Sequence, residues 1–463
     1  MRSALTLLLA AGSVTLAAQM PPVVRQRAQT PPPAAQGTAM LPPSPAATPL
    51  ASASPEVSGP GAVFPSLMPL PHGDDLAHFR YDTREYFLTG TANGRPYRTR
   101  MAIRMPADAS RFSGVVLAES MHPSGNAWMF HFTHTYTMTA GHAGVEILTS
   151  DPMPFVAFNA ARYGQLQVTP DQTAEILAQA GALLRSTRPD NPLAQVRVRR
   201  LILAGTSASA TVLINYLPAH MVLRLADLTP IYDGFLPTSN GTNIRQVDVP
   251  MIQVPTTTEA ARGVVPTRQD GDAPGDQFRV YEFPAMPHLD SRDVVAFQPN
   301  PCKYPVTRFP MGAYMSVALH HLVEWVDNEA VPPRADRILL DRNTAGDGSL
   351  MALDEHGNPR GGIRSPYVDI PVVSYGFPNV GAVPPTPNTV PWVALRGEAG
   401  IDQLCRNLGY EIALAPDRLR KMYGSPQNYA AKVRQRLDDL TREGWSLPLY
   451  RDQILADAEK VHF

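Results

Sequence analysis

The sequence predicts an α/β fold: a mainly parallel sheet flanked by helices, followed by a loop-rich and helical C-terminal extension. Three observations carry this. Short apolar runs alternate with stretches of helical spacing between residues 114 and 326, the pattern of βα units that feed a parallel sheet. The apolar run 201–204 ends at Gly205, passes through Thr206-Ser207-Ala208 and enters a second apolar run. Beyond residue 333 the alternation stops.

Each element has its own warrant. Residues 84–104 alternate around Asn93-Gly94, a hairpin signal. Strands are expected at 114–118 and 144–148, the first followed by the loop 119–125. Ile176, Leu177, Ala180, Leu183 and Leu184 predict a helix over 171–184. Strand 201–204 and a helix from residue 210 come next, then strands at 251–254 and 278–283. Met315, Leu319, Leu322 and Val326 share a face of a helix over 311–326, and Pro332-Pro333 closes the region. The last fifty or so residues read as helical, and no internal repeat is present.

The chain has 463 residues, enough for one large or two modest domains, and 44% hydrophobic residues, enough for a substantial core. A formal net charge of −1 offers nothing to attract nucleic acid or anionic lipid, so neither is an expected partner. Residues 1–18 read as a signal peptide: Arg2, an apolar run from Ala4 to Ala11, then small Ala17 and Ala18. That run is short for a permanent anchor, though an uncleaved anchor is the competing reading. Secretion or periplasmic location, with no stable membrane span after cleavage, is expected. Residues 19–62, rich in Pro, Ala, Ser, Thr and Gln, read as a disordered linker. Residues 63–333 form the expected core, and 334–463 an extension packed on it. Cys302 and Cys405 sit in no C-x-x-C pair or zinc spacing. In an oxidising compartment the two are expected to form a disulfide, the alternative being two buried thiols. No metal or organic cofactor is signalled.

The stretch around Ser207 has the layout of a nucleophile elbow, strand–turn–helix with small flanking residues. The usual G-x-S-x-G pattern ends here in Ser209 rather than glycine. A serine hydroxyl needs a histidine base, and the histidine a carboxylate to orient it. On an α/β-hydrolase sheet these follow in the order serine, acid, histidine, each just past a strand. Glu259 follows strand 251–254 and His288 follows strand 278–283. Asp233, after a strand-like segment, is the other candidate acid. The backbone N–H of Ala208 supplies one oxyanion donor by elbow geometry. Ser120, Met121 and His122 are candidates for the second. In the extension, Gly361-Gly362-Ile363-Arg364 is a permissive turn ending in a cation. Arg364 is either an exposed surface residue or a substrate-binding group folded over the pocket.

Over residues 63–460 the chain resembles the bacterial exported alpha/beta hydrolase domain proteins, a branch of the α/β-hydrolase superfamily. The likeness rests on Val115-Val116-Leu117-Ala118-Glu119, Ala161-Arg162-Tyr163-Gly164, Gly205-Thr206-Ser207 and Asp233-Gly234-Phe235-Leu236-Pro237. It continues in Val249 to Val254 leading to Glu259, in Ala285-Met286-Pro287-His288, in Trp325 with Pro332-Pro333, and in Gly357-Asn358 with Gly361 to Arg364. The resemblance implies a serine-hydrolase fold with a triad at Ser207, Glu259 and His288. It implies no particular substrate. The chain departs from relatives at His122, where asparagine is common, and at Pro287, where alanine is commoner. The expected activity is cleavage of a small-molecule or polymeric ester through an acyl-enzyme. An amidase or acyltransferase would use the same residues, and a non-catalytic envelope binding protein could share the fold.

Overall fold

The computed structural model describes residues 44–292, 299–341, 350–382 and 391–463. The expected signal peptide and residues 19–43 of the expected linker lie outside the described residues. The remainder of that linker is part of the fold. Ala46–Ala47 pairs with Leu223–Arg224, and β1 (Ser52–Ala53) joins the edge of the central sheet. Ala51 is fully buried. The anchors are polar: the Arg162 guanidinium donates to the carbonyls of Val57 and Gly61 at 2.7 and 3.2 Å. Such long-range bonds leave no trace in local composition.

The sheet continues with β2 (Tyr81–Ala92), β3 (Arg95–Pro106), β4 (Val115–Ser120), β5 (Ala143–Ile147) and β6 (Arg200–Thr206). It ends with β7 (Gly234–Thr238), β8 (Met251–Gln253) and β9 (Phe278–Val280). Its order among the described residues is β9-β8-β7-β6-β4-β5-β3-β2-β1. Pairing is parallel from β9 through β5 and antiparallel from β5 to β1. The β2–β3 hairpin turns at Asn93-Gly94, both at positive φ (48° and 67°), which suits the right-handed strand twist.

Helices cover both faces, so the central strands are apolar on both sides. Val115 and Leu117 of β4 face α1 (Trp128–Thr139) and α5 (Met311–Asn328). Val116 and Ala118, one residue out of phase, face α2 (Thr173–Leu184) and α3 (Ala208–His220). α4 (Thr257–Ala261) is a short helix after β8. Residues 281–283 were expected in the last strand. The strand ends at Val280; the Tyr281 amide still bonds the Gln253 carbonyl of β8 at 2.9 Å, and the Glu282 carbonyl accepts from the Ile363 amide at 2.8 Å.

That contact brings the C-terminal extension onto the core. Tyr375, Tyr429 and Leu437 share an apolar cluster with Tyr281 and Tyr314. α6 (Pro391–Leu408) buries Leu404, Cys405 and Leu408 in a small cluster with Cys302. Cys302 and Cys405 are disulfide-bonded, with Cα atoms 5.6 Å apart.

Candidate active site

β6 delivers Ser207 at the carboxyl end of the sheet. Ser207 has φ 53° and ψ −115°, a conformation that side chains rarely adopt. It costs on the order of 1–3 kcal/mol and persists only where the surroundings enforce it. Three features do so. The Ser207 amide bonds the Thr238 carbonyl of β7 at 3.0 Å. The Ser209 hydroxyl accepts from the Thr206 amide and donates to the Thr206 carbonyl, both at 2.9 Å. Gly205 leaves room for this: a Cβ there would lie 2.5 Å from the Ser209 carbonyl oxygen. Serine at the last elbow position therefore laces the turn from inside.

The strand ends bring three predicted residues together. His288 Nε2 lies 2.8 Å from Ser207 Oγ, and His288 Nδ1 lies 2.7 Å from Glu259 Oε1. The His288 amide donates to Thr258 Oγ1 at 3.1 Å, so α4 holds the histidine loop as well as the acid. The other Glu259 oxygen accepts from the Thr256 amide at 2.9 Å and the Thr256 hydroxyl at 2.5 Å. This is the reciprocal cap of α4, formed by a T-x-x-E sequence. Burial works against the Glu259 charge, but His288 and the Thr256 donors hold its carboxyl below the ordinary range.

Ala208 begins α3, among the leading amides that have no partner within a helix. His122 lines the same cavity as Ser207 and His288. The Ser124 amide donates to His122 Nδ1 at 3.1 Å, which leaves the ring proton on Nε2. Burial and the nearby His288 push His122 down to about 4, so its ring is neutral at physiological pH. Neighbouring backbone donors are already engaged: the Met121 amide with Ile147 and the His122 amide with Asn126. Ser120, predicted beside them, is buried with its hydroxyl 2.7 Å from Thr149 Oγ1 and does not line the cavity.

Two of the alternatives do not reach the site. Asp233 precedes β7 instead of following a strand. It sits beside Leu201, whose amide it accepts at 2.7 Å, and pairs with Arg185. That is the amino end of β6, roughly 20 Å from Ser207 at about 3.3 Å per residue. Arg364 does not line the cavity. Its guanidinium is spent on Asp369 (2.6 Å), Asp354 (2.9 Å) and the Pro359 carbonyl (2.6 Å), bracing the extension internally.

The structure also adds residues that no motif marked. Trp128 and Phe132 of α1, and Gln403 and Asn407 of α6, complete the cavity of about 300 Å³. α1 itself escaped the sequence reading. Its aromatic and threonine-rich run forms helices weakly, and a distant cap starts it: Glu119 accepts from the amides of Met129 and Phe130 at 3.1 and 3.0 Å.

A sheet of this order, with a serine, histidine and acid gathered at its carboxyl end, is the α/β-hydrolase architecture. The chain belongs to the family described as "Alpha/beta hydrolase domain", whose profile matches residues 33–456. No curated protein shows significant similarity to it. Among solved structures it is similar to brefeldin A esterase, a bacterial homologue of human hormone sensitive lipase. The two are 14% identical with a TM-score of 0.25, over 37% of this chain and 42% of that one. It is also similar to XC6422 from Xanthomonas campestris, an a/b serine hydrolase without lid: 13% identity, TM-score 0.27, over 43% and 83%. A thermostable esterase from Pseudomonas putida ECU1011 gives 12% and 0.28, over 45% and 74%. The chain thus spans under half the length of the brefeldin A esterase.

Proposed function

We propose that this hydrolase is an exported serine enzyme that cleaves a carboxylic ester through an acyl-enzyme on Ser207. The observation that carries the reading is the unbroken chain from Ser207 Oγ through His288 to Glu259, with contacts of 2.8 and 2.7 Å. Ser207 Oγ attacks the ester carbonyl carbon while His288 Nε2 takes its proton. The C–O bond to the alcohol then breaks, and His288 returns the proton to the departing oxygen. Water attacks the acyl-enzyme next, giving a proton to His288; the acyl C–Oγ bond then breaks, His288 returns that proton to Ser207 Oγ, and the acid is released. Glu259 keeps the His288 Nδ1 proton in place and stabilises the imidazolium. The tetrahedral oxyanion accepts from the Ala208 amide and from His122 Nε2–H, a neutral donor that keeps its form through the catalytic pH range.

Export is part of the proposal. It is supported by the N-terminal pattern and by the Cys302–Cys405 disulfide, a bond of oxidising compartments. Among the described residues no helix is long and apolar enough to cross a membrane. A fluorophosphonate probe tests the chemistry. It is expected to label wild-type protein on the peptide containing Ser207 and to leave Ser207→Ala unlabelled. Absent labelling, or labelling at another serine, overturns the assignment.

A further inference from the structure

The cavity at Ser207 has two unlike walls. Trp128 and Phe132 stack with ring centroids 5.5 Å apart and form an apolar side. Gln403 and Asn407, one turn apart on α6, share a helix face and also line the cavity. Both are uncharged, and among the described residues no Lys, Arg, Asp or Glu lines the cavity. A charged substrate group would lose its hydration there without gaining an ionic partner. Asn407 accepts from Arg262 Nη2 through Oδ1 at 3.4 Å, and its Nδ2 makes no hydrogen bond among the described residues.

The polar wall is held in place from behind. Cys405 lies between these residues in sequence but points into the buried cluster, where it is bonded to Cys302. The Leu289 amide, next to His288, bonds the Asn407 carbonyl at 3.2 Å. The wall is therefore registered on the histidine loop.

We infer that the site takes a small, neutral, amphiphilic ester, with its apolar part on Trp128 and Phe132 and a hydroxyl or carboxamide on Asn407, beside Gln403. This rests on the serine-esterase reading for the bond cleaved, and its test is made independent of turnover. In the Ser207→Ala protein, calorimetry compares 2-hydroxyethyl phenylacetate with its near-isostere propyl phenylacetate. The hydroxyethyl ester is expected to bind about tenfold tighter, the scale of one neutral hydrogen bond. The Gln403→Leu/Asn407→Leu variant, on the same Ser207→Ala background, is expected to lose that preference while keeping its affinity for the propyl ester. The 2-carboxyethyl ester is expected to bind no better than the propyl one. Equal affinities in the parent, a preference that survives the double substitution, or tighter binding of the carboxylate each overturns the inference. Gln403→Ala/Asn407→Ala supplies a second variant should the leucine protein fail to fold; alanine favours the helix and removes both amides, so it too is expected to lose the preference for the hydroxyethyl ester. Failure of probe labelling at Ser207, by contrast, overturns the catalytic reading alone.

Discussion

Two residues at the site lend themselves to sharp tests. Glu259→Gln is expected to lower kcat by about 10⁴-fold, the scale of losing the group that fixes the histidine tautomer. Asp233→Asn is expected to leave kcat within a few-fold and to lower stability instead, since Asp233 pairs with Arg185 at the far end of the sheet. A kinetic comparison of the two variants decides which acid serves His288. His122→Leu is expected to lower kcat by about 10²–10³-fold with little change in KM, the signature of a donor engaged in the transition state. His122→Asn, which retains a side-chain N–H, is expected to recover part of that loss. If His122→Leu keeps wild-type kcat, the side chain is not an oxyanion donor. Ser207, Glu259 and His288 were legible because each follows a strand in a fixed chain order. Asp233 was misleading because the strand begins at Gly234, one residue after it. The strand lies after Asp233 and not before it, which puts the residue at the opposite end of the sheet. His122 was one of three open candidates; the bond of the Met121 amide to Ile147 and the bond of the Ser120 hydroxyl to Thr149 separate it from the other two.

Among the elements, α4 illustrates how a local motif serves a distant group. Its cap fixes one Glu259 oxygen on Thr256 so that the other faces His288. Thr256→Ala is expected to destabilise by about 1 kcal/mol, as for other lost helix caps. It is also expected to lower kcat more than it raises KM, with Thr256→Ser restoring both. Loss of stability with unchanged kcat would limit Thr256 to a structural part. The apolar spacing of α2 and α5 was legible in the sequence, whereas Glu259 was expected in a loop and lies in α4. α1 and α6 were harder. α1 is weak in propensity and depends on Glu119, nine positions before its first residue. The pocket face of α6 carries ordinary polar residues, and only the fold turns them toward Ser207.

At the scale of the molecule, a buried ionic cluster joins the N-terminal segment to the sheet. Glu85 is bonded by Arg100, by Arg162 at 2.6 Å and by Tyr163 at 2.8 Å; Glu146 is bonded by Arg100, by Arg104 at 2.8 Å and by Ser66. Burial opposes the Glu146 charge, yet the two arginines draw its carboxyl down from 4.5 to about 2. A lowered folded value means that stabilisation is complete above about 4.5 and is lost as pH falls through about 2. The shift corresponds to about 3 kcal/mol. Urea unfolding between pH 6 and 2 is expected to show that decline. Glu146→Ala is expected to cost about 3–5 kcal/mol at neutral pH, because it strands buried arginines. A pH-independent midpoint from 5 to 2 would remove Glu146 from this role. The cluster was not visible as a unit in the sequence, since its members are scattered from residue 66 to 163.

The disulfide joins positions separated by 103 residues, and every residue of the Ser207–Glu259–His288 set precedes the first cysteine. A single protease cut between Cys302 and Cys405 therefore leaves two fragments that travel as one mass until a reductant is added. The fragment that carries the helix beside the pocket stays fastened to the fragment that carries the serine. Under the proposed export, a protease that cuts there would nick the molecule without dividing it. Limited proteolysis followed by paired reducing and non-reducing gels, with activity assayed on the nicked material, reads this directly.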